Sequence, residues 1–308
     1  YIGSPGVTVM NCAFTNNTAL DDGGAIYAVG GAAGITNAIL GCQFLNNRAL
    51  TGSGAGLYDV GTGGAQVYTI SNCVFVANYA AGNAGGAYIG DGDYLYMYNC
   101  QFTNNFATNG SGGGFWVNGT FVDTVVTNCS FENNDCDDYG GGARLENGLT
   151  LTVRNCVFYN NDAKDLNASA EIERGGGMYI GNPSLAMTDC IFTNNTTTND
   201  QGGAVYVAGG DGKTYAMTNC TFRNNMSSGS DGGAVYIADG ALLSVVGCSF
   251  VTNFADSSGG ALMFLQANVA DNPPVWLVNS VFTNNTARRG DAGAVYVAGN
   301  FGAAVVTN

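Results

Sequence analysis

The sequence predicts an all-β chain wound as a parallel β-helix, a solenoid of about ten coils with three short strands each. Three observations carry this expectation. A Phe recurs ten times from Phe14 to Phe282, at spacings of 27 to 34 residues, and the third residue after every one is Asn. Gly makes up 48 of the 308 residues, but it is periodic and interleaved with Val, Ile, Tyr and Phe, as in packed strands rather than low complexity. Apolar residues alternate in short runs bounded by Asn, Asp or Gly. A period of this length marks stacked units that bury their apolar faces only against each other. Residues 1–308 then form a single β-helix domain, roughly 50 Å long at ~4.8 Å per coil.

Residues 219–236 show the whole unit. Three residues before each Cys stands an apolar column, from Val9 to Leu277, which predicts a first strand with one buried face. Asn219 follows, in a column that is otherwise Asn, Asp189, Gly41 or Gly247; these residue types tolerate the left-handed backbone, so a tight bend is expected. Cys220 and Phe222 point inward from a second strand. Asn225 closes it, in a column whose stacked amides can bond their neighbours above and below. The third strand is Gly-Gly-Ala-Val-Tyr-Val. Its Ala column holds only Ala or Gly, so close packing is expected there. Arg144, Glu146 and Asp59 flank the Tyr column, which suggests Ala234 and Tyr236 inward and the Val positions more exposed, with Tyr outward as the alternative.

Composition excludes several functions. Net charge is −14, with nine Lys plus Arg and no His, so no basic surface exists for nucleic acid or an anionic membrane, and the commonest general base is missing. No apolar run is long enough to span a bilayer as a helix, so direct membrane insertion is not expected. Residues 1–12 align with 179–190 without a gap, and the sequence stops at Asn308, where the next residue is due to be the repeat's Cys. The expectation is a segment of a longer repeat protein, cut mid-coil at both ends, whose partners include further copies or coils stacked head to tail.

Nine of the ten Cys share one column and Cys136 sits in another small, inward one, so buried free thiols account for all of them. No Cys-x-x-Cys pair or His points to a metal, and no cofactor is expected; Asp91-Gly92-Asp93, Asp21-Asp22 and Asp137-Asp138 are weak calcium candidates, since a site needs six or more oxygen ligands. Charge concentrates once. Arg144 and Glu146 share a strand, and an insertion over 162–174 brings Lys164, Asp165, Glu171, Glu173 and Arg174 to the next coil, which makes these seven the candidate ligand-contact residues. A solvated insertion is the competing explanation, and no catalytic residue is assigned. Among the Asn-x-Ser/Thr acceptors, Asn109, Asn118 and Asn167 lie in expected loops open to glycosylation, whereas Asn16, Asn128 and Asn219 are expected to be inaccessible.

Phe222-Arg223-Asn224-Asn225 with Gly232-Gly233-Ala234-Val235 resembles the repeat of the chlamydial polymorphic outer-membrane proteins (Pmp), found also in surface proteins of other bacteria, algae and protists. Ten paired copies cover essentially the whole chain. The resemblance implies a right-handed parallel β-helix presented outside the cell or at its surface, serving adhesion or surface structure and meeting glycans or host or cell-surface proteins. The membrane barrel of a bacterial autotransporter is not visible in this sequence. The expected function is a non-catalytic stalk, surface fibre or filament segment. The alternative is a carbohydrate-binding or polysaccharide-cleaving module working through the variable loops of coils five and six.

Overall fold

The computed structural model describes residues 1–3, 6–30, 34–61, 66–164, 173–210, 212–240, 242–266, 274–299 and 304–307. Within them the chain is a parallel β-solenoid. One sheet has 11 strands and three have 10, and in each sheet every strand pairs with its counterpart one coil away. The four sheets are designated I to IV in chain order. In the unit described above they receive Thr214–Thr218, Thr221–Arg223, Met226–Ser227 and Val235–Ile237.

Four strands per coil, rather than three, is a correction with a local cause. The Asn column ahead of Cys bends as expected: Asn219 has φ 52°, Asp189 φ 54° and Gly247 φ 63°. A second left-handed column follows each Phe by two residues, with Asn16 at φ 57°, Asn133 at φ 53° and Asn224 at φ 52°. That second bend cuts the expected long strand and creates the two-residue strands of sheet III. Ala77 and Thr252 occupy the same column at φ 54° without the side chain that makes this region tolerable. Thr252→Asn is therefore expected to stabilise the chain by about 1 kcal/mol, read as a higher urea midpoint at unchanged m-value; a lower midpoint would contradict it.

The residue after that bend builds the interior. From Asn47 to Asn253 the inner Asn of each coil is buried, and its amide is saturated along the axis. Asn134 Nδ2 donates to Asn161 Oδ1 at 3.0 Å and to Phe102 O at 2.9 Å. Its Oδ1 accepts from Asn105 N and Nδ2, both at 3.0 Å. Beside this amide ladder runs a ring ladder from Phe14 to Phe282, with centroids 4.6 to 5.1 Å apart. The Ala column is small for a reason visible at Gly86: a Cβ there would lie 2.3 Å from Gly114 O and 3.0 Å from the Phe102 ring. All ten Cys are free thiols, nine of them buried and Cys12 exposed in the first coil. Hydrogen bonds between neighbouring thiols, with burial, push Cys190 and Cys220 up to about 12, and burial pushes Cys136 up as well.

Sheet IV reverses the expected orientation of Val and Tyr. Val235 and Ile237 enter the main core, while Tyr236 joins Tyr206 and Met263 in a separate cluster on the outer side. Ala234 is in the core as expected. Arg144 belongs to the outward Tyr column, in register with Trp116 and Tyr179, whereas Asp59 belongs to the inward Val column, in register with Ala28 and Ile89.

Candidate functional site

The outer side of sheet IV carries a column of stacked rings. Tyr27, Tyr58 and Tyr88 follow one another at 5.2 and 4.8 Å, and Trp116 meets Tyr88 edge-on at 5.1 Å. Tyr179, Tyr206 and Tyr236 continue the column at 5.3 Å per step. Arg144 fills the gap. Its guanidinium lies 4.7 Å from the Trp116 and Tyr139 rings and 5.4 Å from Tyr179. Nη1 donates to Ser111 Oγ at 2.5 Å and Nη2 to Glu146 Oε1 at 2.6 Å. A planar cation stacked on aromatic faces continues a ring column where a ring is missing. One coil on, Arg174 Nε donates to Asp200 Oδ2 at 2.9 Å, and its guanidinium sits 4.8 Å over Tyr206. Arg144, Glu146 and Arg174 are therefore brought to one face, as the sequence suggests.

Lys164 is not on that face. It emerges from sheet III, where Nζ reaches Asp135 Oδ2 at 2.9 Å and Asp162 Oδ2 at 3.4 Å. These two carboxylates are register partners on consecutive coils. Together with Asn104, Asn133, Asn160 and Asn194 they line a polar groove of about 440 Å³. Burial pushes the Asp162 carboxyl up, Lys164 pulls it down, and Asp135 adds a further upward push. Paired carboxylates beside an ammonium in a groove are the kind of arrangement that binds sugar hydroxyls or moves protons. Glu173 is a correction: it is fully buried at the base of the insertion, and Thr197 Oγ1 donates to its main-chain oxygen at 2.6 Å. Asp165, Glu171 and Asn167 lie outside the described residues. The five candidates among the described residues thus do not form one site.

A model of the right-handed β-helix region matches residues 3–184, 63–250 and 174–308. The chain belongs to the right-handed β-helix family. No curated protein and no solved structure gives a significant match. The winding of this β-helix is thereby right-handed, in agreement with the expectation from its repeat.

The acceptor Asn residues of the β-helix are placed differently from expectation. Asn109 is exposed as predicted, and its Nδ2 donates to Ala81 O at 2.9 Å. Asn118 is half-buried and donates to Tyr88 Oη at 3.1 Å. Asn16, Asn128 and Asn219 are exposed rather than inaccessible, because a left-handed bend turns their side chains to solvent while the following residue carries the core. No three ligating side chains converge on a metal-sized space among the described residues.

Sequence reasoning missed three groups. Asp135 and Asp162 were hidden in a column that is Thr, Arg, Met or aromatic in other coils. The alternation Tyr94-Leu95-Tyr96-Met97-Tyr98 was a readable signal of three rings on one side of a strand. Asp59 is a buried carboxyl, 2% exposed, pushed up to about 7 by burial. The folded chain holds this proton more tightly than the unfolded chain. Its contribution is intact below the unfolded value near 4, falls as pH rises toward 7, and is flat above that. The β-helix is expected to lose roughly 4 kcal/mol across that window through this group, and Asp59→Asn to remove that part of the slope. Urea midpoints from pH 4 to 8 check this; equal slopes in both chains would contradict it.

Proposed function

We propose that this β-helix is a non-catalytic extracellular structural or adhesive element, a stalk, surface fibre or filament segment. The observation that carries the reading is the destination of the charges in the variable region. Arg144, Lys164 and Arg174 each engage an anion, and for Lys164 and Arg174 a carboxylate on a neighbouring coil is among the partners. The two arginines also stack on, or close a gap in, the ring column that joins coils. Charges arranged to fasten one coil to the next support a scaffold. The Phe-x-x-Asn and Gly-Gly-Ala-aliphatic pairing, shared with Pmp-type surface proteins, supports placement outside the cell. Any further coil, in the same chain or another copy, would join through the same parallel registers, which favours head-to-tail assembly.

A second reading is a carbohydrate-binding or polysaccharide-cleaving module, and the groove around Asp135, Asp162 and Lys164 is what favours it. Alanine variants at Arg144, Lys164 and Arg174 separate the two. The scaffold reading expects no polysaccharide turnover by the native chain and a lowered unfolding midpoint for each variant, by about 1 kcal/mol or more where a stacked cation is lost. Turnover by the native chain that disappears in Lys164→Ala at an unchanged midpoint would establish the second reading instead.

A further inference from the structure

We infer that the outer face of sheet I binds an extended, uncharged polysaccharide lying along the solenoid axis. This goes beyond the scaffold reading and uses none of the ion-paired residues. On the strand Tyr94–Tyr98, three tyrosines point outward, with ring centroids 6.3 and 6.4 Å apart and planes within 9° and 4° of parallel. Far along the same sheet, Trp276 stands outward and 41% exposed. The registers place Tyr96 and Trp276 in one column, through Val125, Thr152, Ala186, Ala216 and Ser244. The column is six strand steps long, about 29 Å. Its floor is small throughout, so the two aromatic ends rise above a shallow strip.

The chemistry of the strip selects its occupant. The chain carries −14 overall, but within the strands from Tyr94 to Val278 the outward side chains of this face include only two charged ones, Asp123 and Arg154. A polyanion or polycation would find no complementary field here. The columns beside the floor are rich in hydroxyls, including Thr150, Thr188, Thr214 and Thr218. A peptide strand cannot add to this surface, because the main-chain groups of interior strands are already paired between coils. The remaining ligand is long, uncharged, able to exchange hydrogen bonds with hydroxyls, and endowed with apolar faces for the rings. A neutral polysaccharide has these properties: each pyranose presents C–H-rich faces to an aromatic ring and a rim of hydroxyls to Thr and Ser.

Co-sedimentation of the native chain with cellulose, mannan and chitin, with polygalacturonate as the charged control, tests this. The expected result is retention on at least one neutral polymer, insensitive to added salt. Tyr96→Ala combined with Trp276→Ala should weaken it about tenfold or more. Ala186→Glu, an exposed position midway along the strip, should do the same while leaving both rings and the unfolding midpoint intact. Retention on none of the neutral polymers, retention on polygalacturonate alone, self-association through this face in place of binding, or undiminished retention by the variants would each overturn the inference.

Discussion

Asn134→Ala is expected to destabilise the chain by about 4 kcal/mol, since buried groups left without partners cost ~1–3 kcal/mol each. The variant strands the backbone N–H of Asn105, one of the two bonds made by the Asn105 amide, and the carbonyl of Phe102. None of these groups can reach solvent, because Asn105 and Phe102 are buried inside the stack. The neighbouring Asn133 is the control. It holds a bend at φ 53° with its side chain outside, so Asn133→Ala should cost only about 1–2 kcal/mol. Urea unfolding followed by circular dichroism measures both. A solenoid is held by nearest-neighbour contacts, so the Asn134 variant should also split its transition as the coils on either side decouple. Equal costs at the two positions would show that the inner amide ladder contributes nothing special.

Phe222→Ala is expected to cost about 3–5 kcal/mol, the range for emptying a buried aromatic site. Phe222 is fully buried between Phe192 at 5.1 Å and Phe250 at 4.6 Å, so both stacks are lost with it. Rigid sheets on either side limit collapse of the cavity, which places the expected cost toward the upper end. Phe222→Leu should recover more than half of the loss, because volume is largely restored. Thermal and urea midpoints check the pair; a Leu variant no better than Ala would mean that ring stacking rather than packing volume holds the column.

The columns that face inward were legible because the interior of a stack repeats the same contact in every coil. Phe, Cys, the inner Asn and the apolar residue ahead of Cys each recur ten times with few exceptions, and the bend at Asn219 follows from the backbone freedom of its residue type. The fourth strand was not legible, since Asn224 and Asn225 are the same residue type with opposite tasks, one bending the chain and the other filling the core. Val235 and Tyr236 were misoriented for a related reason: both suit a buried strand face, and only the outer cluster around Tyr206 gives Tyr a second apolar environment.

The candidate site was legible only in part. Arg144 stood out as a polar replacement in a repeat strand and Arg174 as part of the insertion, and the structure does bring them to one face. Lys164 stood out equally, but the bend between sheets III and IV sends it elsewhere, a consequence of coil geometry that sequence spacing does not encode. The Tyr94–Tyr98 strand and Trp276 are far apart in sequence and share a column only after several coils have stacked.

Native-state hydrogen exchange at the inner Asn backbone amides tests the central claim, that unbroken axial ladders make this chain one rigid scaffold. From Asn47 to Asn225 these amides donate to the side-chain oxygen one coil away at 3.0 to 3.1 Å. The account predicts that they are the slowest amides in the protein and exchange together, through global unfolding. Exchange of the Asn134 and Asn161 amides at the rate of the surface turns would contradict it, because the ladder would then be open across the coils that carry the paired charges.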